Sequence, residues 1–519
     1  MNSQISNKKN LLAIRSATLI NKLTTMVSPS LPIGLAYILG AIKNKDLTIK
    51  AIDAISEKPF MKDAKKFSNK NLILGLDNDE ILEQTKNFKP EIVLITSMFS
   101  PDWLILRDLI NKLKEKFPNC IIIGGGEHFS AMPEFCLNES KIDCVVTGEG
   151  EETIKEIIDK ILEGNFWTSE IKGTYKRSGK TILNSGPRER LRCLKNMPWP
   201  AWEFFNVNKM LDNGLGNTSN QKNNIRPMPL NATRGCPYKC TFCSNPQMWG
   251  KLWRARPAED VVDEIRYLNK NYGANHFDFT DLTLAVKKQW LIDFCKQMIK
   301  AKMDITWGLP SGTRSEVLDF PILKLLSDAG LNDIDYAPES GSKKILAIMK
   351  KQITIENLLS SIKSAKQVGL RIKVNLILGY PEETRKDVMD TLWFAIRCAY
   401  YGTDDLLVTP LSIYPGSAIH EQIKKDKNIK YDDYYFETLT DQGSLNLSEC
   451  YSKHYTQYEL FFFKYLIFSI FYLSGFLFKP KKFFTLIKDM IKMEGSTRLS
   501  MSLINFIRRF NLSTAKRDS

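Results

Sequence analysis

The chain has 519 residues, 43% of them hydrophobic and 25% charged. That is room for two or three domains with cores of their own, and it excludes a disordered scaffold; no repeat or low-complexity tract is evident either. Lys and Arg number 73 against 58 Asp and Glu, a formal charge of +15, but the lysines are spread along the chain, so a solvated basic surface is expected and no nucleic-acid partner.

The polar segment Met1–Lys9 and the short, interrupted apolar stretch after it do not read as a signal peptide. Ten cysteines in a chain of this size are not a secreted disulfide framework, and the seven scattered singly are expected as free thiols, which implies a reducing cytoplasm. Strands are expected over Leu11–Ala17, Thr48–Ile52, Ile92–Thr96, Ile121–Ile123 and Cys144–Thr147. Helical patterns over Gly34–Lys43, Asp102–Phe117 and Glu151–Leu162 lie between them. This is the alternation of a Rossmann-like parallel sheet covered on both faces, and it spans residues 1–187. The fourth strand runs into Gly124, Gly125 and Gly126, at the strand end where open α/β sheets bind ligands and where missing side chains let a bulky one approach.

Residues 188–228 read as a connector, with Pro198-Trp199-Pro200 and a polar stretch from Asp212 to Asn224. A second alternation fills 229–430, with strands expected over Leu230–Thr233, His276–Thr280, Ile305–Leu309, Asn332–Ala337, Arg371–Leu378 and Asp405–Thr409. Helices are expected over Ala258–Tyr272, Lys287–Lys300 and Arg385–Tyr401. Six such repeats make a partial (β/α)6 barrel of the TIM type, with its site at the carboxyl ends of the strands. Residues 431–519 form a helical, apolar extension. Within it, Leu460–Phe478 is aromatic and marginal in length for a membrane span, and Lys479, Lys481 and Lys482 follow. Packing on the barrel is the favoured reading, and an interfacial anchor on anionic lipid is the alternative.

The first barrel strand leads into Asn231-Ala-Thr-Arg-Gly-Cys236-Pro-Tyr-Lys-Cys240-Thr-Phe-Cys243. Three thiolates spaced C-x3-C-x2-C on one loop offer three soft ligands, which suits a [4Fe–4S] cube with one iron left open for a bound molecule. Zinc, the competing metal, wants a fourth ligand that no second Cys pair or nearby His supplies.

The C-x3-C-x2-C loop after the first barrel strand resembles the signature of radical S-adenosylmethionine (SAM) enzymes. The resemblance implies that SAM chelates the open iron and is cleaved reductively to methionine and a 5′-deoxyadenosyl radical. Trp253-Arg254-Ala255-Arg256, Glu339-Ser340-Gly341-Ser342 and Leu378-Gly379-Tyr380-Pro381-Glu382-Glu383-Thr384 resemble further motifs of one large subgroup, although Glu382 stands where Gly is usual. After the second strand Phe279-Thr280-Asp281 replaces the usual Gly-Gly-Glu. The resemblance thus implies SAM contacts from Phe242, Asp281, Glu339, Ser340 and Gly379, with Asp281 toward the methionine amine; no substrate-side catalytic residue is assigned.

The first module is similar to the cobalamin-binding domain that precedes this subgroup. The likeness rests on Leu31-Pro32-Ile33-Gly34, Ile52-Asp53-Ala54, Thr96-Ser97, Gly124-Gly125-Gly126-Glu127-His128 and Gly148-Glu149-Gly150-Glu151. It implies that Asp53, Thr96, Ser97, Gly124, Gly125 and Gly126 line a cobalamin. The Asp-x-His-x-x-Gly loop that carries a histidine to cobalt is absent, and His128 follows the wrong strand. The implied cobalamin therefore has no protein histidine below cobalt; a domain that has lost the cofactor is the alternative.

The expected activity is C-methylation of an unactivated carbon in a small-molecule or lipid-like substrate, fed by an external donor of the flavodoxin or ferredoxin type. A radical cyclase or oxidase akin to the anaerobic porphyrin cyclases is the alternative. A tRNA methylthiotransferase ranks below both, because the N-terminal cysteines are lone and the tail is apolar and helical. The protein is expected in the cytoplasm, with peripheral membrane contact as a further expectation.

Overall fold

A computed structural model of the chain describes residues 8–24, 27–216, 224–493, 495, 497–504 and 507. Most of the N-terminal polar segment and of the Asp212–Asn224 stretch lies outside the described residues.

The first sheet contains β1 (Lys9–Arg15), β2 (Leu47–Asp53), β3 (Ile92–Thr96), β4 (Ile121–Gly125), β5 (Cys144–Val146), β6 (Thr174–Ser178) and β7 (Thr181–Asn184), in the order β7-β6-β5-β4-β3-β1-β2. The first five are mutually parallel. β1 lies between β3 and β2, and its Leu11–Ile14 run is wholly buried, as a parallel strand covered on both faces requires. Helices α1 (Ile33–Ile42), α2 (Trp103–Lys116) and α3 (Glu151–Leu162) supply the cover. The antiparallel pair β6–β7 was not expected. It reads Thr-Tyr-Lys-Arg-Ser-Gly-Lys-Thr-Ile-Leu-Asn, a charged edge hairpin with little apolar signal.

The second sheet is all parallel, in sequential order β8 (Pro227–Leu230), β9 (His276–Phe279), β10 (Thr306–Thr313), β11 (Leu331–Glu339), β12 (Arg371–Leu378) and β13 (Asp405–Pro410). Its outer layer includes α4 (Ala258–Tyr272), α5 (Lys288–Ala301), α6 (Phe320–Asp328), α7 (Ile355–Gln367) and α8 (Arg385–Tyr401). Period-2 alternation turns Phe277, Phe279, Ile334, Tyr336, Ile372 and Val374 into the helix-facing core. The opposite parity carries a buried ionic set: His276 beside Asp278 and Asp333, Lys373 on Asp335, and Arg371 on Asp405 at 3.1 Å.

The segment after Arg188 is no slack linker, since Trp202, Val207, Met210 and Leu211 are buried in the barrel core. Near the C terminus α9 (Gln457–Phe478) and α10 (Lys481–Lys492) follow. Helix α9 packs on the barrel through Leu460, Phe463, Ile467, Phe471 and Tyr472, and the Tyr472 hydroxyl donates to Asp405 at 3.1 Å. Its opposite face stays exposed, so it is not buried all round.

The two sheets meet at a short antiparallel pair, Thr233–Arg234 with Arg254–Ala255, that closes the cysteine loop. Both arginines of this pair reach the first module. Arg234 meets Glu151 at 2.8 Å, and Arg254 makes a two-pronged pair with Glu149. All four side chains are largely buried. Removing one partner strands a buried charge, at a cost of about 3–5 kcal/mol. Arg254→Ala should therefore lower the denaturant midpoint clearly, and the double change Glu149→Leu with Arg254→Met much less; equal midpoints for Arg254→Ala and wild type would show the pair to be idle.

Candidate active site

The cysteine loop runs between the two strands of that short pair. Gly235 opens it where a Cβ would collide with the carbonyl of Leu252, so the loop crosses its own return strand only because this position is glycine. From below, Asp281 accepts from the Ala232 amide at 3.1 Å and from the Thr233 amide and hydroxyl. Burial pushes its carboxyl up to about 6 against those donors. The Trp253 indole donates to the Thr283 carbonyl at 2.9 Å and fixes the return strand.

Cys236, Cys240 and Cys243 are free and partly exposed. Burial raises all three thiols, Cys243 to about 12, while Arg314 and Lys351 draw Cys236 and Cys240 back down. The thiols lie within electrostatic reach of one another. Among the described residues, no three His, Cys, Asp or Glu converge as ligands of one ion must. Three thiolates on one loop suit a cube, in which each sulfur binds a different iron. A cluster would also supply the positive charge that these half-buried thiols need in order to ionise.

The loop's barrel side is walled by residues from distant strands. Glu339 ends β11 with φ at 73°, a left-handed conformation rare outside glycine, and pairs with Lys351 at 2.9 Å, both buried. The Lys351 ammonium lies 5.5 Å from the Phe242 ring centroid, and the Arg314 guanidinium 3.5 Å from that of Tyr238. Strain of this kind concentrates at functional sites. Lys351 and Arg314 carry no motif signal and were missed.

Other residues expected to meet SAM have internal partners here. The Ser340 hydroxyl is shared with Thr391 and the Ser342 amide. The Gly379 amide donates to Glu383 at 2.6 Å and to the Tyr455 hydroxyl at 2.8 Å. Asp281 braces the loop root, as described. Of the five, Glu339 and Phe242 share a contact beside the cysteines, through Lys351.

At the carboxyl edge of the first sheet the glycine run divides. A Cβ on Gly124 would stand 2.6 Å from Phe129 and Ile142 atoms, and one on Gly126 would strike the Ser97 carbonyl; on Gly125 it would meet nothing within 4 Å. Only Gly125 therefore faces open space, and its two neighbours are glycine for internal packing. Asp53 is held by Arg15 at 2.6 Å and by Ser56, and Ser97 donates to the Phe99 carbonyl at 3.0 Å. Thr96 pairs with Gly125 across β3 and β4. Just past this strand end Met98 and Phe99 are 62% and 52% exposed, apolar surface on the same edge of the sheet. Such a cradle fits a broad, apolar-faced ring such as a corrin. The sequence signal, two apolar residues just past the end of β3, was overlooked.

His128 does not reach this edge. It is buried between Trp103 and Phe436, its Nδ1 lies 3.1 Å from the Ser100 hydroxyl, and burial drives its pKa down to about 3. Its neighbour Glu127 faces the other way and accepts from Ser244, directly after Cys243, at 2.9 Å. The glycine edge and the cysteine loop thus share one wall.

Residues 230–395 match the radical SAM superfamily and residues 23–158 the B12-binding domain. An uncharacterized methyltransferase of Pyrococcus horikoshii is 29% identical over 75% of this chain and 78% of its own length. The anaerobic magnesium-protoporphyrin IX monomethyl ester cyclase of Cereibacter sphaeroides is 24% identical over 78% of this chain and 63% of its own. The radical SAM methyltransferase TsrM of Kitasatospora setae, solved with cobalamin and a [4Fe–4S] cluster bound, shares the fold with a TM-score of 0.63, over 81% of this chain and 75% of that one at 14% identity.

Two measurements probe the site. Anaerobic reconstitution should load about four irons per chain, and Cys236→Ala, Cys240→Ala and Cys243→Ala together should abolish that loading; iron retained by the triple variant would refute the assignment. Gly125→Val should fold normally yet lose the corrin absorbance that wild type keeps after mixing with hydroxocobalamin and desalting. Gly124→Val should instead destabilise the domain, by about 1–3 kcal/mol or more from overpacking; undiminished absorbance in Gly125→Val would place the corrin elsewhere.

Proposed function

The chain belongs to the radical SAM superfamily, in the branch that carries an N-terminal B12-binding domain, and from that premise we propose that it transfers a methyl group to an unactivated carbon of a small or lipid-like substrate. Its cofactors are a [4Fe–4S] cluster, S-adenosylmethionine and cobalamin. When bound, these supply an electron to split a carbon–sulfur bond of SAM, a carbon radical that abstracts hydrogen, and a carrier for a methyl group.

The chain's own residues arrange where those groups stand. Cys236, Cys240 and Cys243 hold the cluster, and Gly125 with Met98 and Phe99 offers the corrin a flat, apolar seat. Glu339, paired with Lys351, faces the SAM side of the loop as a buried acceptor whose pKa burial raises against the pull of Lys351. Glu149, Glu151 and Glu127 keep the seat and the loop against each other through Arg254, Arg234 and Ser244. The contact of Glu127 with Ser244, which ties the glycine edge to the cysteine loop, is the observation that supports the reading, since neighbouring cofactor places suit transfer between them.

The family requires an electron donor and a substrate; a flavodoxin- or ferredoxin-type donor is the proposed source. The resemblance to the P. horikoshii methyltransferase supports methylation, and that to the porphyrin cyclase marks the reaction to be distinguished from it. The test is product balance. Reconstituted anaerobically with SAM, a reductant, hydroxocobalamin and candidate substrates, the enzyme should release S-adenosylhomocysteine and 5′-deoxyadenosine in step with each methylated product. Turnover of a substrate with 5′-deoxyadenosine but no S-adenosylhomocysteine would favour the cyclase reading.

A further inference from the structure

The C-terminal helix pair carries an apolar surface that the barrel does not use. On α9 the buried residues Leu460, Phe463, Ile467 and Phe471 form one side, while Phe462, Leu473 and Leu477 on the other are 59%, 65% and 76% exposed. Helix α10 continues the pattern after the Lys479-Pro480 turn. Its Phe483, Phe484, Ile487 and Ile491, at helical spacing, are between 41% and 79% exposed, and Asp489 is the buried residue on its inner side. The two surfaces join where Phe483 meets Phe476 with ring centroids 5.5 Å apart.

The exposed charges from residue 479 to 492 have one sign. Lys479, Lys481, Lys488 and Lys492 are exposed, and from 479 to 492 the sole acidic side chain is the buried Asp489. At helical pitch Lys481, Lys488 and Lys492 form a stripe along the border of the Phe484–Ile491 face. Lys482, by contrast, turns inward and donates to the Gly402 carbonyl at 3.1 Å.

We propose that α9 and α10 together form a docking surface for an anionic lipid bilayer, with the apolar side chains in the headgroup–acyl boundary and the lysine stripe on the lipid phosphates. Three features favour lipid over a second copy of the chain. A two-fold interface built on this patch would bring lysine stripes of like charge together, and the cores of protein interfaces are depleted in lysine. An amphipathic helix with basic residues beside an exposed Phe and Ile face has the composition of one that lies in a membrane interface. The helix pair lies on the membrane and does not span it. Although α9 has the 22 residues of a span, its inner face is tied down by Tyr472 on Asp405 of the barrel and by Lys464 on the Ser444 carbonyl at 2.7 Å. This surface is independent of the reaction proposed above.

The test uses the full-length, cluster-loaded protein in flotation with vesicles of phosphatidylcholine alone or mixed with phosphatidylglycerol. Binding should require phosphatidylglycerol and fall as salt is raised, since anionic surface attraction is screened. Phe484→Ser, Ile487→Ser and Ile491→Ser together should abolish it. Lys481→Gln with Lys488→Gln should weaken it roughly tenfold or more. Both variants should keep wild-type cluster content and SAM cleavage. Absence of flotation with phosphatidylglycerol, equal binding to phosphatidylcholine alone, or full binding by the triple Ser variant would each overturn the proposal. So would a concentration-dependent dimer in sedimentation that the triple Ser variant dissolves, since the face would then belong to a second copy.

Discussion

The position of the cysteine loop against the first sheet is set by two buried ion pairs, Glu149 with Arg254 and Glu151 with Arg234. Both arginines belong to the two short strands that bracket the cysteine loop, so the loop cannot shift without breaking contact with the first sheet. Buried pairs of this kind contribute little net stability over apolar substitutes, because desolvation offsets most of the attraction. What they do impose is register, since the Arg254 fork donates to both oxygens of Glu149 in one orientation and Arg234 adds a second point on Glu151. The Gly-Glu-Gly-Glu turn of the first module and the Trp-Arg-Ala-Arg strand of the second are therefore two halves of one joint. Glu127 on Ser244 adds a third point, and three points define how one body lies against another.

Much of the fold was legible because its periodicities are strong. Arg371–Leu378, Ala258–Tyr272, Glu151–Leu162 and Arg385–Tyr401 end where their patterns end, since polar and apolar residues alternate cleanly and the flanking Gly and Thr mark the stops. The cysteine loop was legible because three thiols at that spacing have few other uses. Direction was not. Asp281 has the right chemistry for an amine, but only the fold shows its oxygens turned back on the Ala232 and Thr233 amides. The glycine run makes the same point: Gly124 and Gly125 are equivalent as text, and what separates them is Ile142 and Phe129, one of them eighteen residues away in the loop before β5. Lys351 and Arg314 are illegible for the same reason, since neither matters until strands distant in sequence bring it over an aromatic of the loop.

The interior of the partial barrel follows a different rule from a closed one. A closed eight-stranded barrel fills its centre with branched apolar side chains. This open sheet puts His276, Asp278, Asp333, Asp335, Arg371, Lys373 and Asp405 on its inner face near the strands' amino ends. Charges of both signs interleave across neighbouring strands, so each acid on β11 and β13 has a cation at hand. The result is a polar floor beneath the cysteine loop, with the apolar core kept outside, between sheet and helices. A site that must admit a polar cofactor from one side and exclude bulk water from the other is well served by such a division.

The C-terminal extension belongs to the same construction. An open sheet leaves a free edge at β13, and an uncovered edge invites pairing with other chains. Helix α9 covers it, with Tyr472 on Asp405 at one end. At the other end Tyr455, just before the helix, donates to Glu383 and accepts from the Gly379 amide, and Leu460 lies against Gly379. Burial raises the Glu383 carboxyl to about 7, so this clasp is a network of buried polar groups that tolerates little displacement. It holds the turn after β12, the strand that pairs with Glu339 through Leu376. The exposed side of α9 is thus one helix diameter, about 10 Å, from the turn after β12. The extension is locked to the barrel near both ends of α9, and the open edge of the sheet is closed by residues that the barrel motifs alone do not contain.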